Sequence, residues 1–167
     1  MKKLLLIALV IMIVIQLFIP IYMIASKYDI LSNGEEYKFV VNPVDPYDAF
    51  RGRYVSLNPL TISRNQTGKY GIIRVDEDGF AYVHKVTNEK PKNETYVKSI
   101  GTSWFRLPID RYYMDEKLAP RAETIIQQNG QRRETYVTVR IKNGNLVVSG
   151  LFIDGIAIED ILKENTK

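Results

Sequence analysis

The run Thr135-Tyr136-Val137-Thr138-Val139-Arg140-Ile141 and the run Leu146-Val147-Val148-Ser149-Gly150-Leu151 stand on either side of Lys142-Asn143-Gly144-Asn145. Both runs are rich in β-branched and aromatic residues at period two, the spacing that turns one face of a strand toward a core. Asn-Gly between them suits a type I′ turn, because both central residues of that turn need positive φ. The segment therefore reads as an antiparallel hairpin.

The same pattern recurs toward the N-terminus. Tyr37 to Val41 alternates and is closed by Asn42-Pro43. Arg53 to Leu57 alternates and is closed by Asn58-Pro59. Gly71 to Val75 and Phe80 to Val86 flank the loop composition Asp76-Glu77-Asp78-Gly79, and the alternation sets His84 on one face with Phe80, Tyr82 and Val86. Tyr96 to Ile100 and Trp104 to Leu107 read as two further short strands. One stretch differs: Leu118, Ala122, Ile125 and Ile126 have helical spacing, with Asp115 as N-cap, Pro120 at the first helical position and Gly130 after the last turn. The expected fold is mainly β, an antiparallel sheet or small barrel, with one short α-helix.

Ahead of this domain, Met1-Lys2-Lys3 leads into Leu4 to Ala25, apolar except for Gln16 and Pro20. About 20 such residues, rising 1.5 Å each, cross a hydrocarbon layer of about 30 Å. A cleavable signal would have a shorter apolar core and a small-x-small exit. Here, with Ala25 at −1, bulky Met23 stands at −3, so an uncleaved signal-anchor is expected. Lys2 and Lys3 favour a cytoplasmic N-terminus. The reading is a single-pass cell-membrane protein: anchor 1–26, a polar spacer 27–36, and an extracytoplasmic β-rich domain 37–167.

Composition narrows the chemistry. Without Cys, disulfide frameworks, thiolate metal sites and Cys nucleophiles are excluded, and a single His excludes a multi-His metal site. No cofactor or metal is expected. The net charge of +4, from 23 Lys and Arg against 19 Asp and Glu, is scattered rather than gathered into a stripe, so nucleic acid is not an expected partner.

Residues 45–57 form the most distinctive constellation. Asp45-Pro46-Tyr47-Asp48 suits a tight turn, because Pro fixes φ and Asp bonds nearby backbone N–H groups. Gly52 follows Arg51 and precedes a strand, a common place for a bulge. Arg51, Arg53, Tyr54 and Arg111 form a candidate cluster. Two Arg around a Gly suit bidentate capture of a carboxylate or phosphate, and equally suit structural ion pairs with Asp45, Asp48 or Asp110.

Gly52-Arg53-Tyr54-Val55-Ser56-Leu57-Asn58-Pro59 resembles the motif of the GDYXXLXY family of bacterial membrane-anchored proteins. Gly52, Tyr54 and Leu57 match, whereas Arg53 replaces Asp and Pro59 replaces the final Tyr. Leu107-Pro108-Ile109-Asp110-Arg111-Tyr112-Tyr113 and the strand before Ile153-Asp154-Gly155 are similar to the family as well. The resemblance implies one anchor and a small outer domain without established catalysis. It also implies a link to the regulation of an amylopullulanase, a starch-degrading enzyme, and a multi-pass membrane neighbour. A role that needs a carboxylate at position 53 does not carry over.

These residues point to an accessory or regulatory domain that binds a membrane or envelope protein and catalyses nothing. The alternative is a tethered hydrolase. Its Ser/Lys form would draw on Ser56, Ser99 or Ser103 with Lys85 or Lys98. Its glycan-cleaving form would draw on two of Asp45, Asp48, Asp110, Asp115 and Glu116.

Overall fold

The computed structural model describes residues 2–44, 54–59, 66–115, 118, 121–122, 125 and 135–164. Helix α1 spans Lys2–Asn33. The described part of α1 contains a span from Leu6 to Asn33 that is long and apolar enough to cross a membrane, and its most apolar stretch is unburied. From Leu6 to Ile24 its large apolar side chains face outward. A helix that is apolar on every side has no preferred face to bury against a soluble core.

Among the described residues nine strands follow: β1 Glu35–Val44, β2 Tyr54–Pro59, β3 Tyr70–Val75, β4 Ala81–Thr87, β5 Tyr96–Lys98, β6 Arg111–Tyr113, β7 Thr135–Lys142, β8 Asn145–Ile153 and β9 Ile156–Ala157. Helix α2, Ile158–Glu164, ends the described chain. The strands form a six-stranded sheet ordered β6-β2-β1-β7-β8-β9 and a three-stranded sheet ordered β4-β3-β5. Every pairing is antiparallel. Among the described residues the sheets do not close into a barrel, so of the two expected architectures the open sheet is the observed one.

The β7–β8 hairpin has the expected turn. Asn143 and Gly144 have φ of 52° and 76°, and Asp154 and Gly155 repeat the device between β8 and β9 with φ of 51° and 83°. Gly144 has a second reason to be glycine: the Tyr96 ring occupies the space a Cβ would take.

One core joins both sheets. Phe39, Val41, Leu57, Val137, Val139 and Leu151 come from the larger sheet, and Ile73, Ala81 and Val97 come from the smaller. Ile158 and Leu162, one turn apart on α2, are fully buried in the same core. Ala122 is buried too. Its N–H donates to the Leu118 carbonyl at 2.9 Å, and Ile125 is helical, so the expected helical spacing is realised at these described positions. Ile126, Pro120 and Gly130 lie outside the described residues.

Several boundaries differ from the sequence reading. The helix continues through Asn33 and β1 starts at Glu35, so the polar segment 27–36 is helix and strand on either side of Gly34. Asn42-Pro43 does not end β1. Leu57 N–H points to the Asp110 carbonyl at 3.0 Å, away from β1, so its partner Pro43 sits in a non-hydrogen-bonded pair. Pro43 N therefore faces the side where β7 has already stopped pairing, at Val40–Tyr136, and the missing N–H costs no ladder bond.

Trp104 to Leu107 is not a strand. Phe105 N–H instead reaches the Gln66 carbonyl at 2.8 Å, and Phe105, Leu107 and Ile109 alternate into the core from an irregular chain. A register shift pairs Ile72 with Lys85 and Ile73 with Val83, leaving His84 as the extra residue of a bulge. Val86 thus rejoins the core-facing side with Val83, and His84 is exposed against Tyr82 rather than aligned with Val86.

Candidate functional site

The motif-bearing strand β2 lies between β1 and β6, and its residues divide by role. Leu57 is buried in the core and its backbone is tied to Asp110, so the motif leucine is a packing residue. Tyr54 stands opposite Tyr113, and Ser56 opposite Arg111. Arg111 Nε lies 3.7 Å from Asp110 Oδ2, with both side chains more than a third exposed. An ion pair that open to water contributes little to stability. Asp45, Asp48, Arg51, Gly52 and Arg53 lie outside the described residues.

The segment opposite the motif is fixed from below. Tyr112 OH donates to Glu159 Oε1 of α2 at 2.5 Å, which joins the edge strand β6 to the C-terminal helix. Burial, and then the adjacent Glu159 carboxylate, push the Tyr112 hydroxyl far above its ordinary titration range. It stays protonated wherever the protein is folded at ordinary pH.

Two open grooves flank β5. The first, about 380 Å³, lies where α1 enters the domain, between Asn33, Glu35, the 92–96 segment and the 141–144 turn. Several of its polar groups are engaged by neighbours. Tyr37 OH lies 2.8 Å from Glu35 Oε2 and 3.0 Å from Thr95 Oγ1, and partial burial raises its titration above the usual tyrosine value. Arg74 Nη2 holds Glu94 at 3.2 Å. The second groove, about 530 Å³, is lined by Tyr70, Asn88, Ser99, Thr102, Ser103 and Trp104 among others. Trp104 is 54% exposed there. Neither groove was legible beforehand, since both arise where β5 and its loops meet other elements.

The hydrolase candidates are placed as follows. Ser99 Oγ accepts N–H bonds from Gly101 at 3.0 Å and Arg106 at 3.1 Å, so this hydroxyl organises its own loop. Lys98 Nζ reaches Asn145 Oδ1 at 3.2 Å. Lys85 is exposed on β4 and Ser103 is exposed in the loop at the second groove. Among the described residues no group of three or more His, Cys, Asp or Glu stands ready to hold a metal ion.

The junction between helix and domain is tied by several side-chain contacts. Lys142 Nζ meets both Asp29 carboxylate oxygens, at 2.7 and 2.8 Å. Arg140 donates to the Gly34 carbonyl at 3.1 Å and pairs with Glu36 at 2.8 Å. Ile30, at 4% exposure, is buried where α1 meets β7 and β8. The sequence reading had no signal for this clamp, because its partners are more than a hundred residues apart.

Compared with known families, the chain matches the GDYXXLXY protein family over residues 16–151, which takes in the second half of the apolar segment and the strands through most of β8. No curated protein and no solved structure matches it.

Proposed function

The chain belongs to the GDYXXLXY family, and on that premise we propose that it is a membrane-anchored accessory protein. In this reading α1 stays in the bilayer with Lys2 and Lys3 on the cytoplasmic side. It holds the β domain on the extracytoplasmic face. There the domain binds a multi-pass membrane or envelope protein and adjusts that partner's activity without catalysing a reaction itself.

The observation that carries this is the junction. A tether for a freely diffusing catalyst would work as a flexible linker. Here the helix runs into a sheet that grips its end through Asp29 and Ile30, and through the Gly34 carbonyl that follows it. That arrangement holds the domain in one orientation on α1, which supports docking against a neighbour held in the same membrane.

The test is crosslinking of the full-length protein in native membranes, followed by recovery in mild detergent. A discrete adduct with a membrane or envelope protein supports the proposal, and recovery of monomer alone contradicts it. Arg51→Ala and Arg111→Ala sharpen the result. Loss of the adduct with an unchanged melting temperature assigns these residues to recognition, whereas a fall in melting temperature assigns them to ion pairing within the domain.

A further inference from the structure

We infer that the end of the domain at which α1 enters lies on the membrane surface and contacts the phosphates of anionic lipid headgroups through Lys27, Lys90 and Lys92. This rests on the anchoring proposed above and adds where the domain sits and what it touches.

The geometry follows from the helix. With Leu4 to Ala25 in hydrocarbon, Asp29 lies four residues further along, about 6 Å outside the apolar layer. The headgroup layer on each side is about 5–7 Å thick. The Lys142 ammonium, held by Asp29, is therefore at headgroup depth, and the Asn143-Gly144 turn beside it is carried to the same level. The Lys92 loop closes the other side of the groove that Asn33 and Lys142 line. Tyr22 and Tyr28, both well exposed, bracket the boundary where amphipathic aromatic rings settle.

Charge points the same way. The acidic groups at this end are largely engaged: Asp29 by Lys142, Glu94 by Arg74, and Glu35 by the Tyr37 hydroxyl. Glu89, next to Lys90 in sequence, is exposed. Lys27, Lys90 and Lys92 are exposed. Each Lys near an anionic leaflet gains on the order of 1 kcal/mol. Two or three together bias the orientation of a domain that is already tethered.

The absence of Cys from the sequence makes the test direct. Single labels are placed on the full-length chain as Asn93→Cys and Asn145→Cys at the proposed contact, and as Val10→Cys inside the bilayer. Ile156→Cys serves as the distant control. Ile156 pairs with Ile153, which pairs with Thr135, seven residues and about 23 Å along β7 from Lys142. The protein is reconstituted in lipid nanodiscs carrying a quencher on the headgroup, made from phosphatidylcholine alone or mixed with phosphatidylglycerol.

Quenching at Asn93→Cys and Asn145→Cys should exceed that at Ile156→Cys several-fold. Adding Lys90→Glu and Lys92→Glu should reduce it in the mixed discs and leave it unchanged in phosphatidylcholine. Equal quenching at the near and distant labels overturns the inference, as does indifference to the charge reversal. If an acyl-chain quencher also fails to reach Val10→Cys, the anchoring itself is wrong and the contact falls with it. If only Val10→Cys is quenched, the anchoring stands and the contact alone is refuted.

Discussion

Asp29 and Lys142 are 113 residues apart, yet their side chains meet at 2.7 and 2.8 Å and tie the end of the apolar helix to the tip of the β7–β8 hairpin. The hairpin turn is itself held from the other side, by the Gly144 carbonyl accepting from Lys98 N–H at 2.8 Å. Helix, large sheet and small sheet therefore converge on one turn.

The ion pair and the buried residue at this junction should behave differently. Lys142→Ala removes a solvent-exposed pair and should lower the melting temperature only slightly, by an amount that shrinks as salt is added. Ile30→Ala removes a buried side chain and should cost about 2–4 kcal/mol. Thermal unfolding of the full chain in detergent, at low and high salt, compares the two.

Gly144→Ala should be more damaging than Gly79→Ala. Both positions have positive φ, so both variants carry backbone strain on the order of 1 kcal/mol. At Gly79 nothing lies within 4 Å of the added methyl, whereas at Gly144 the methyl meets the Tyr96 ring. The difference in denaturation midpoint reads out that displacement.

Leu57→Ala should destabilise the domain by about 2–5 kcal/mol, because the motif leucine is buried in the shared core. Arg111→Ala, on the exposed β6 edge, should cost less than about 1 kcal/mol. Chemical denaturation separates a packing role in the motif from a surface one.

Alkaline pH should loosen the β6–α2 contact. Tyr112 titrates higher in the folded state than the ordinary value of 10.0, so its stabilising effect is complete below about pH 10 and falls as pH rises beyond it. Tyr112→Phe removes this contribution. Melting temperatures measured from neutral pH to above pH 10 should fall more steeply for the native chain than for the variant.

Local signals were legible wherever turn chemistry and alternation agreed. Asn143-Gly144 located the central hairpin, and Leu118, Ala122 and Ile125 located a helical turn. The period-two pattern failed where a bulge intervenes. Ser149 is skipped between the pairs Thr138–Gly150 and Val139–Val148, so Leu146 and Val148 share the core with Leu151 and Ile153 across an odd step. His84 does the same on β4. Asp154-Gly155 had the composition of a hairpin turn, but the two-residue β9 behind it is too short to show alternation. The junction clamp and the two grooves depend on contacts distant in sequence, which no local pattern encodes. Of the motif and the candidate cluster, the structure describes the positions of Tyr54, Leu57 and Arg111, with Leu57 in the core and Arg111 at the sheet edge.

The anchored, outward-facing placement of the domain is tested most directly by protease treatment of intact cells, followed by N-terminal sequencing of the protein recovered from untreated membranes. The expected result is a membrane-bound chain that keeps its apolar helix and loses its β domain to protease added from outside. A soluble polypeptide in the medium starting near Ser26, or a β domain protected until the cells are opened, would contradict it.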